Sequence, residues 1–555
     1  MQSGFSYRRF FRGDTLMVIV PHEDDEINIA GTVIDGARTE GMRVICVFVT
    51  NGDYQYIPEV RLNEAVQALA VLGVPEEDIV FLGYPDGGAH AERSVFIHGQ
   101  TEPVVINGRM ETCGTPQKAE FCMKEWGIHH TWTWDHLLLD LRTVILKYAP
   151  EGIIAVDFEK HPDHRMVSMA FEKAMGDILN RSCNAYQPVV LKAFAYNTAF
   201  EGVQDFYQSN LLSAKINPDT LLLPGQMDNP GFEWEERLRF PVPEACRTQD
   251  LGKNKMFRAL TCHMSQKAMR RAERLINGDQ VFWQKRTDNL CFMGRVTVSS
   301  GEGKYLHDFQ TINTRDIAPP QVTYEEYLWI PDSADRHPWC RCDFLQPQDI
   351  GIAGFWGNLK TDGSRILRGR LSFSNGYAVD VGPIPDGGQK RIVRFPQQKS
   401  VRWVQFDILE KVGDEAGLAE WELFSGEEIL PLLKICVNGE FAYEWLMKRG
   451  QDFSLAAYNP SGKSLRWYAN GKPVTLAELN ELGKSLTEPL RVRVEWITQP
   501  EIWDEALLLP DTLLRRLRKK RMLLRSRLIS WWENQKEKRP HHKLKKFQNK
   551  STDGK

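Results

Sequence analysis

The stretch "VIVPHEDDEINIAG", residues 18–31, places one histidine and four carboxylates directly after an apolar run. That run, "TLMVIV" at 15–20, is typical of a short strand buried on both faces of a sheet. The four acidic residues at 23–26 occupy consecutive positions and repel one another unless a positive charge lies nearby. The stretch therefore predicts a buried strand that ends in a charged site.

Outward from this stretch, apolar runs alternate with helical patterns as far as about residue 300. Further predicted strands are "RVICVFVT", "IVFLGYP" and "GIIAVDF". Such an alternation predicts a Rossmann-like, doubly wound α/β domain with a mostly parallel sheet, over residues 1–310. Ligands of such sheets bind beyond the carboxyl ends of the strands.

The sequence pattern changes after about residue 325, where short strand-like runs are separated by Gly, Pro, Asn and Asp. This pattern predicts a β-sandwich at 325–425 and a second small β-rich domain at 428–505. The segment 511–555 has Leu and Trp at helical spacing among basic residues, and predicts a basic amphipathic helix with a tail.

A second chemical cluster, "DFEKHPDH" at 157–164, follows another predicted strand. A parallel sheet brings the ends of both strands to one edge, so the two clusters are expected to meet. A divalent cation would turn the repulsion among the carboxylates into attraction. Catalytic zinc typically takes three His and carboxylate ligands and leaves one position open for water.

With these motifs, the sequence resembles the PIG-L or LmbE-like deacetylases, which carry an H-P-D-D-E motif after the first strand and an H-P-D-H motif later. Here the motifs are "PHEDDE" at 21–26 and "HPDH" at 161–164. The resemblance covers about residues 12–300. It extends to "VFVTNGD" at 47–53, "RLNEAVQALAVLG" at 61–73, "FLGYPDGG" at 81–88 and "KMFRALTCHMSQ" at 255–266.

The resemblance implies a role for eight residues of this chain, by position in the motifs. The metal, most often zinc although another divalent ion is an alternative, would be bound by His22, Asp25 and His164. Asp24 would be the general base, and His161 would stabilise the oxyanion or protonate the leaving amine. Asp163 would orient a histidine, while Arg61 and Asp86 would contact the sugar.

One departure from the family pattern is Glu23, which stands where proline is usual. Because this position is neither a ligand nor the base, we expect changed loop stiffness or a polar contact at the mouth of the site. Outside the motifs, His129 and His130 are expected in a loop or at an interface. His263 is a candidate for lining the pocket.

The function that the resemblance implies is zinc-dependent removal of the N-acetyl group from an N-acetylglucosamine-type sugar of a glycolipid, polysaccharide or sugar precursor. Two alternatives remain open. One is an O-deacetylase or other amidase that uses the same metal site, and the other is a glycan-binding scaffold with an inactive deacetylase-like domain.

The predicted sandwich resembles discoidin or coagulation-factor type C domains, which have the galactose-binding-like fold. Such domains often bind glycans through loop aromatics, for which Trp356, Tyr377 and Trp403 are the candidates; packing in the core is the alternative for each.

Charge is distributed unevenly along the chain, whose net charge is −3. The segment 511–555 holds 16 Lys or Arg and four Asp or Glu, a net +12. Attraction of this segment to an anionic membrane surface is expected, with a partner-binding or solvated helix as the alternative and nucleic acid disfavoured. No spanning segment or secretory signal is apparent, and cysteine usage suggests a reducing compartment, so a cytoplasmic location, peripheral at the inner membrane surface, is predicted.

Overall fold

A computed structural model describes most of the chain. The described residues are 4–54, 56–88, 95, 102–106, 108–159, 161–195, 200–201, 210, 214–216, 231–267, 276, 278–312, 328–358, 363–448 and 450–538.

Within these residues, helices and strands alternate at first and strands dominate later. The helices are α1 (Tyr7–Phe11), α2 (Asp25–Thr39), α3 (Pro58–Val71), α4 (Phe121–Trp126), α5 (Trp134–Tyr148), α6 (Pro162–Arg181), α7 (Glu244–Arg247), α8 (Lys255–Leu260), α9 (Leu476–Lys484) and α10 (Leu513–Lys538). The first strands are β1 (Thr15–Val20), β2 (Arg43–Thr50), β3 (Ile79–Tyr84), β4 (Gly152–Val156), β5 (Val189–Ala193), β6 (Phe200–Glu201), β7 (Lys215–Ile216), β8 (Leu238–Arg239) and β9 (Val281–Lys285). The later strands are β10 (Gly294–Val298), β11 (Trp339–Trp356), β12 (Arg365–Phe373), β13 (Ala378–Val381), β14 (Lys390–Val412), β15 (Glu420–Phe424), β16 (Lys434–Val437), β17 (Glu440–Phe441), β18 (Glu444–Met447), β19 (Leu455–Tyr458), β20 (Leu465–Ala469), β21 (Lys472–Val474), β22 (Leu490–Trp496) and β23 (Trp503–Pro510).

The first sheet has the order β3-β2-β1-β4-β5-β9-β8. The strands from β3 to β5 pair in parallel, while β9 runs antiparallel to β5. Their side chains are buried on both faces, which accounts for the continuous apolar runs in the sequence. The predicted fold class, a mostly parallel doubly wound sheet, is confirmed.

The strand order reverses between β1 and β4. The chain builds outward from β1 through β2 to β3, and then returns to place β4 on the other side of β1. A crevice opens at such a reversal beyond the carboxyl ends of the strands, and it is the usual ligand position in open α/β sheets. Both chemical clusters of the sequence follow directly after these two strands.

The second sheet is antiparallel, with the order β10-β11-β14-β12-β13, and β15 pairs with β11. It encloses a separate apolar core. The sheet already includes β10, which pairs with β11 ahead of the predicted start at 325. Just before β10, the Asn289 side chain lies beside β15: Nδ2 donates to the Trp421 carbonyl (3.1 Å) and Oδ1 accepts from the Leu423 N–H (2.9 Å).

The three aromatic candidates for glycan contact pack in or against this second unit. Trp356 is buried and donates its indole N–H to a Glu422 oxygen at 2.8 Å, which agrees with the alternative of core packing for this residue. Tyr377 packs against the apolar core, and the guanidinium of Arg341 lies 4.2 Å from the ring centroid of Trp403.

The third unit contains a sheet of order β17-β16-β19 and another of order β18-β23-β22-β20-β21, around its own core. Its last strand continues to Pro510, beyond the predicted limit of 505. Helix α10 follows, and the predicted tail after residue 538 lies outside the described residues. In the part of the chain that the structure describes, no helix has the length and apolar character needed to cross a membrane.

Candidate metal centre

The turn between β1 and α2 concentrates the first cluster. The backbone N–H groups of Asp24 and Asp25 both donate to the His22 carbonyl, at 3.2 and 3.3 Å, and the helix begins at Asp25. Asp24 adopts a φ of 149°, a conformation that side-chain-bearing residues rarely take, and its carboxylate does not cap the helix. The carboxylate lies instead 3.4 Å from the guanidinium of Arg61.

Three side-chain atoms of the predicted ligand set form a compact triangle. His22 Nδ1 lies 3.1 Å from Asp25 Oδ2 and 3.2 Å from His164 Nε2, and this Nε2 lies 3.2 Å from the same Asp25 oxygen. Zinc bonds of about 2.0–2.1 Å in tetrahedral geometry place ligand atoms about 3.3 Å apart. The donor types and their spacing therefore fit a zinc ion, and all three side chains are buried.

The electrostatics of the triangle favour a cation. Burial alone would raise the pKa of Asp25, yet His164 and His22 hold this pKa well below its usual range. Burial opposes the charged form of His164, but Asp25 and Glu159 raise its pKa to about 9. Burial likewise opposes the charged form of His22, and Asp86 with other carboxylates nonetheless holds its pKa well above its usual value. The carboxylates thus create a negative field that a bound divalent cation would neutralise.

Carboxylates orient both histidines from the outer side. Asp163 Oδ2 lies 3.1 Å from His22 Nε2 and accepts the backbone N–H of Gly87 at 3.0 Å. Glu159 contacts His164 Nδ1 on the ring edge that faces away from the triangle. Such carboxylates fix the tautomer and increase the basicity of a ligand histidine. The sequence prediction missed Glu159, although it stands within the "DFEKHPDH" motif.

His161 stands at the start of α6, next to the triangle. Its Nδ1 accepts the backbone N–H of Asp163 at 3.2 Å, so a neutral ring carries its proton on Nε2. Burial, followed by the positive charges of His164 and His22, holds the pKa of His161 well below its usual value. Its ring centroid is 4.8 Å from that of either neighbouring histidine.

Arg61 forms ion pairs with three carboxylates beside the triangle. Its guanidinium lies 3.3 Å from Glu23, 3.4 Å from Asp24 and 3.1 Å from Asp86. The structure thus brings both predicted sugar-contact residues, Arg61 and Asp86, to the centre, where they pair with each other. Burial opposes the charge on Arg61, but these carboxylates keep its pKa above its ordinary value.

Of the two alternatives expected for Glu23, a polar contact at the mouth of the site is wrong, and changed loop stiffness stays a prediction. Its side chain is fully buried beneath Arg61, and a Cβ added to Gly52 would lie 2.5 Å from its carboxylate. Burial raises the pKa of Glu23 to about 8 in spite of Arg61. The residue that replaces the family proline is therefore part of the support for Arg61.

A buried pair supports the turn from behind. His263 Nε2 lies 3.0 Å from Glu26 Oε1, and the other Glu26 oxygen accepts the Asp24 N–H at 2.9 Å. His263 therefore reaches the site through Glu26 rather than by lining the pocket. His129 contacts Glu120 and His130 faces Asp140, so each pairs with a carboxylate that is not part of the triangle.

The fold and the centre together define a class: a doubly wound α/β domain with a buried His and carboxylate site, suited to a divalent cation, at its strand reversal. Residues 17–175 match the PIG-L family, described as GlcNAc-PI de-N-acetylase, and this segment is a PIG-L domain. Residues 289–424 match a second family, described as a domain of unknown function, DUF7402. A comparison with curated proteins finds no match.

Solved structures of three proteins resemble parts of the chain. N,N'-diacetylchitobiose deacetylase from Pyrococcus horikoshii is 20% identical over 35% of this chain and 66% of that chain, with a TM-score of 0.23. The zinc inhibited form of teicoplanin deacetylase Orf2 is 15% identical over 49% of this chain and 97% of that chain, with a TM-score of 0.28. CpGH89CBM32-5 from Clostridium perfringens, in complex with GalNAc-beta-1,3-galactose, is 17% identical over 24% of this chain and 96% of that chain, with a TM-score of 0.20. Likenesses this distant carry no conclusion about activity.

Proposed function

We propose that this chain is a zinc-dependent N-deacetylase of an N-acetylated amino sugar, and that it releases acetate and leaves a free amine. The observation that carries the proposal is the triangle of His22 Nδ1, Asp25 Oδ2 and His164 Nε2, with the Asp24 carboxylate on the adjoining residue. The match of residues 17–175 to the PIG-L family supports the same reaction class.

A zinc ion held by His22, Asp25 and His164 would polarise the acetyl carbonyl and make an attacking water more acidic. Asp24 would take the proton of that water, because its carboxylate adjoins the ligand Asp25 and is not used in helix capping. Arg61, 3.4 Å from Asp24, holds that carboxylate in place.

His161 would act on the opposite side of the scissile amide. Its Nε2–H can donate to the oxygen that gains charge during attack, because Nδ1 already accepts from the backbone. The proton that Asp24 takes from water would then pass to the departing amine, and the neutral His161 ring would keep its own proton. Asp86, on the loop after β3, together with Arg61 would contact sugar hydroxyls.

The substrate we propose is an N-acetylglucosamine-type unit of a glycolipid, polysaccharide or sugar precursor. The helix α10 supports a lipid-linked form, acted on at the cytoplasmic face of a membrane. Ser526 on one side of α10 donates to the Gln249 carbonyl (2.6 Å), whereas Leu513, Leu524 and Trp531 are more than half exposed among arginines and lysines. Such a helix would bind anionic lipid through charge and apolar burial together.

Acetate release tests the catalytic proposal. The zinc-loaded chain is incubated with a panel of N-acetylated sugars and lipid-linked sugars, and both acetate and new primary amine are measured. We expect equal amounts of the two from at least one substrate, loss of activity on chelation and recovery on addition of zinc. Acetate without amine would identify an O-deacetylase, and no product from any substrate would favour the glycan-binding scaffold.

Vesicle flotation tests the proposed membrane contact. We expect the chain to float with anionic but not with neutral vesicles, and Leu524→Glu with Trp531→Glu to abolish flotation. Leu345→Glu is the matched control, because Leu345 is 79% exposed on β11 of the β-sandwich and is not part of α10. Equal flotation of all variants would overturn the membrane contact and leave the deacetylase proposal intact.

A further inference from the structure

A second cluster of metal-ligating side chains lies outside the candidate metal centre. Cys122 in α4, His130 in the following loop and Asp140 in α5 bring one sulfur, one nitrogen and one oxygen atom within 4.8 Å of one another. All three side chains are buried, at 0, 4 and 0% exposure. Because the three residues come from separate segments, the cluster is a product of the tertiary fold.

Two atoms of this cluster are buried without a hydrogen bond. His130 Nδ1 and Asp140 Oδ1 lie 2.9 Å apart, but their orientation is not that of a hydrogen bond, and neither atom has another hydrogen-bond partner. Leaving such groups unsatisfied is destabilising, because burial has removed them from water. A cation between them would satisfy the nitrogen lone pair and the carboxylate oxygen at once.

The surroundings hold each donor in place. The imidazole of His130 is stacked between Trp126 (4.9 Å between centroids) and His136 (4.4 Å), which fixes the ring plane. The other Asp140 oxygen accepts the Tyr84 hydroxyl at 2.7 Å, an outer contact of the kind that orients ligand carboxylates.

We propose that Cys122, His130 and Asp140 bind a second zinc ion, which has a structural role. Sulfur, imidazole nitrogen and carboxylate oxygen together form a donor set that suits zinc. The Glu120 carboxylate is buried beside this donor set, 4.0 Å from Cys122 Sγ, and it contacts His129. The proposal goes beyond the deacetylase function and does not depend on it.

The site would hold the segment between β3 and α5 against the rest of the α/β domain. Within this segment the Thr112 N–H donates to the His130 carbonyl at 2.8 Å. The Thr112 hydroxyl accepts the His130 N–H at 3.0 Å and contacts Cys122 Sγ at 3.1 Å. The next residue, Cys113, accepts the Asn51 amide at 3.1 Å, beside the loop that follows β2. The second zinc ion would therefore stabilise one wall next to the candidate metal centre.

Cobalt substitution distinguishes the two centres, because only the second contains a thiolate. The full-length chain is stripped of metal and titrated with Co²⁺, while metal content and near-ultraviolet thiolate-to-cobalt absorption are recorded. We expect two equivalents of Co²⁺ per chain and a charge-transfer band. Cys122→Ser should lose the band and one equivalent, whereas His22→Ala with His164→Ala should lose one equivalent and keep the band.

Controls make each outcome decisive. Cys113→Ser removes a thiol from the same segment and should keep the band. In the His22→Ala, His164→Ala chain, Zn²⁺ should still raise the melting temperature, and His130→Ala should remove that increase. Absence of the band in the wild-type chain, or its survival in Cys122→Ser, would overturn the second site whether or not the chain is a deacetylase.

Discussion

His22 Nδ1 and His164 Nε2 lie 3.2 Å apart, although 142 positions separate them in the chain. One residue follows β1 and the other follows β4, the two strands at which the sheet order reverses. Two similar nitrogen atoms this close to a shared carboxylate oxygen, on Asp25, are arranged as donors to one cation rather than as partners of each other.

Asp24→Asn should separate binding of the metal from turnover. Because the amide cannot take a proton from water, we expect activity to fall about 10²–10⁴-fold while metal content is unchanged. Acetate release and metal analysis on the same sample measure the two effects. Asp135→Asn, an exposed acid in the first turn of α5, is the control and should be fully active. An active Asp24→Asn chain would remove Asp24 as the base.

Glu159→Gln should weaken metal binding while the triangle itself stays complete. The variant removes the charge that orients and polarises His164, so we expect the affinity for zinc to fall about 10–100-fold. Competition with a chromophoric chelator measures this affinity. Glu77→Gln, an exposed change elsewhere in the domain, should bind zinc as the wild type does. An unchanged affinity in Glu159→Gln would contradict the orienting role.

Arg61→Met should lower the stability of the α/β domain and should also lower its activity. Three buried carboxylates would lose their shared cation, and removing one partner of a buried ion pair costs about 3–5 kcal/mol. We expect a lower melting temperature by calorimetry. Adding Glu23→Met to Arg61→Met should restore part of the loss, because it removes a fully buried polar group that would be left without its guanidinium partner. A melting temperature equal to that of the wild type would show that these carboxylates do not need Arg61.

Gly176→Ala should destabilise the chain in spite of the higher helix propensity of alanine. A Cβ at Gly176 in α6 would lie 1.9 Å from the backbone carbonyl oxygen of Asp308, so the two segments must move apart. Overpacking of this kind typically costs about 1–3 kcal/mol. Gly426→Ala is the control, since its Cβ would meet nothing within 4 Å. Equal melting temperatures for both variants would contradict the predicted clash.

Asp308→Asn should flatten the dependence of stability on pH. Burial raises the pKa of Asp308. Burial and the nearby Asp308 carboxylate together raise the pKa of Glu420. The Glu420 carboxylate accepts the Asp308 N–H at 3.2 Å. A carboxyl group with a raised pKa in the folded state stabilises at low pH, and this stabilisation is lost as the pH rises above the ordinary carboxyl value of about 4. We therefore expect the melting temperature of the wild type to fall between about pH 5 and pH 9 more steeply than that of Asp308→Asn. Asp332→Asn, at an exposed position, should behave as the wild type; identical slopes in all three chains would refute the assignment.

Local patterns explain why much of the fold and the triangle could be predicted. Strands such as β1 and β4 are continuous apolar runs, and parallel strands necessarily bring His22 and His164 to the same edge. Contacts between distant segments have no such signal. His263 and Glu26 are 237 positions apart, and nothing in either motif pairs them. Likewise, burial of Glu23 depends on Arg61 packing over it, which the motif alone does not specify.

Asn289 covers an edge of the β-sandwich through which copies of the chain could otherwise associate. Within the described residues, β15 pairs with one strand only, β11. The amide of Asn289 bonds to the β15 backbone at Trp421 and Leu423 and so occupies its other edge. An uncovered strand edge is a template for pairing between copies. A fragment that starts at residue 325 would expose this edge and lack β10, and should aggregate, whereas one that starts at 289 should stay monomeric. A single side chain at the start of the second matched segment would thus keep this domain from polymerising through its edge.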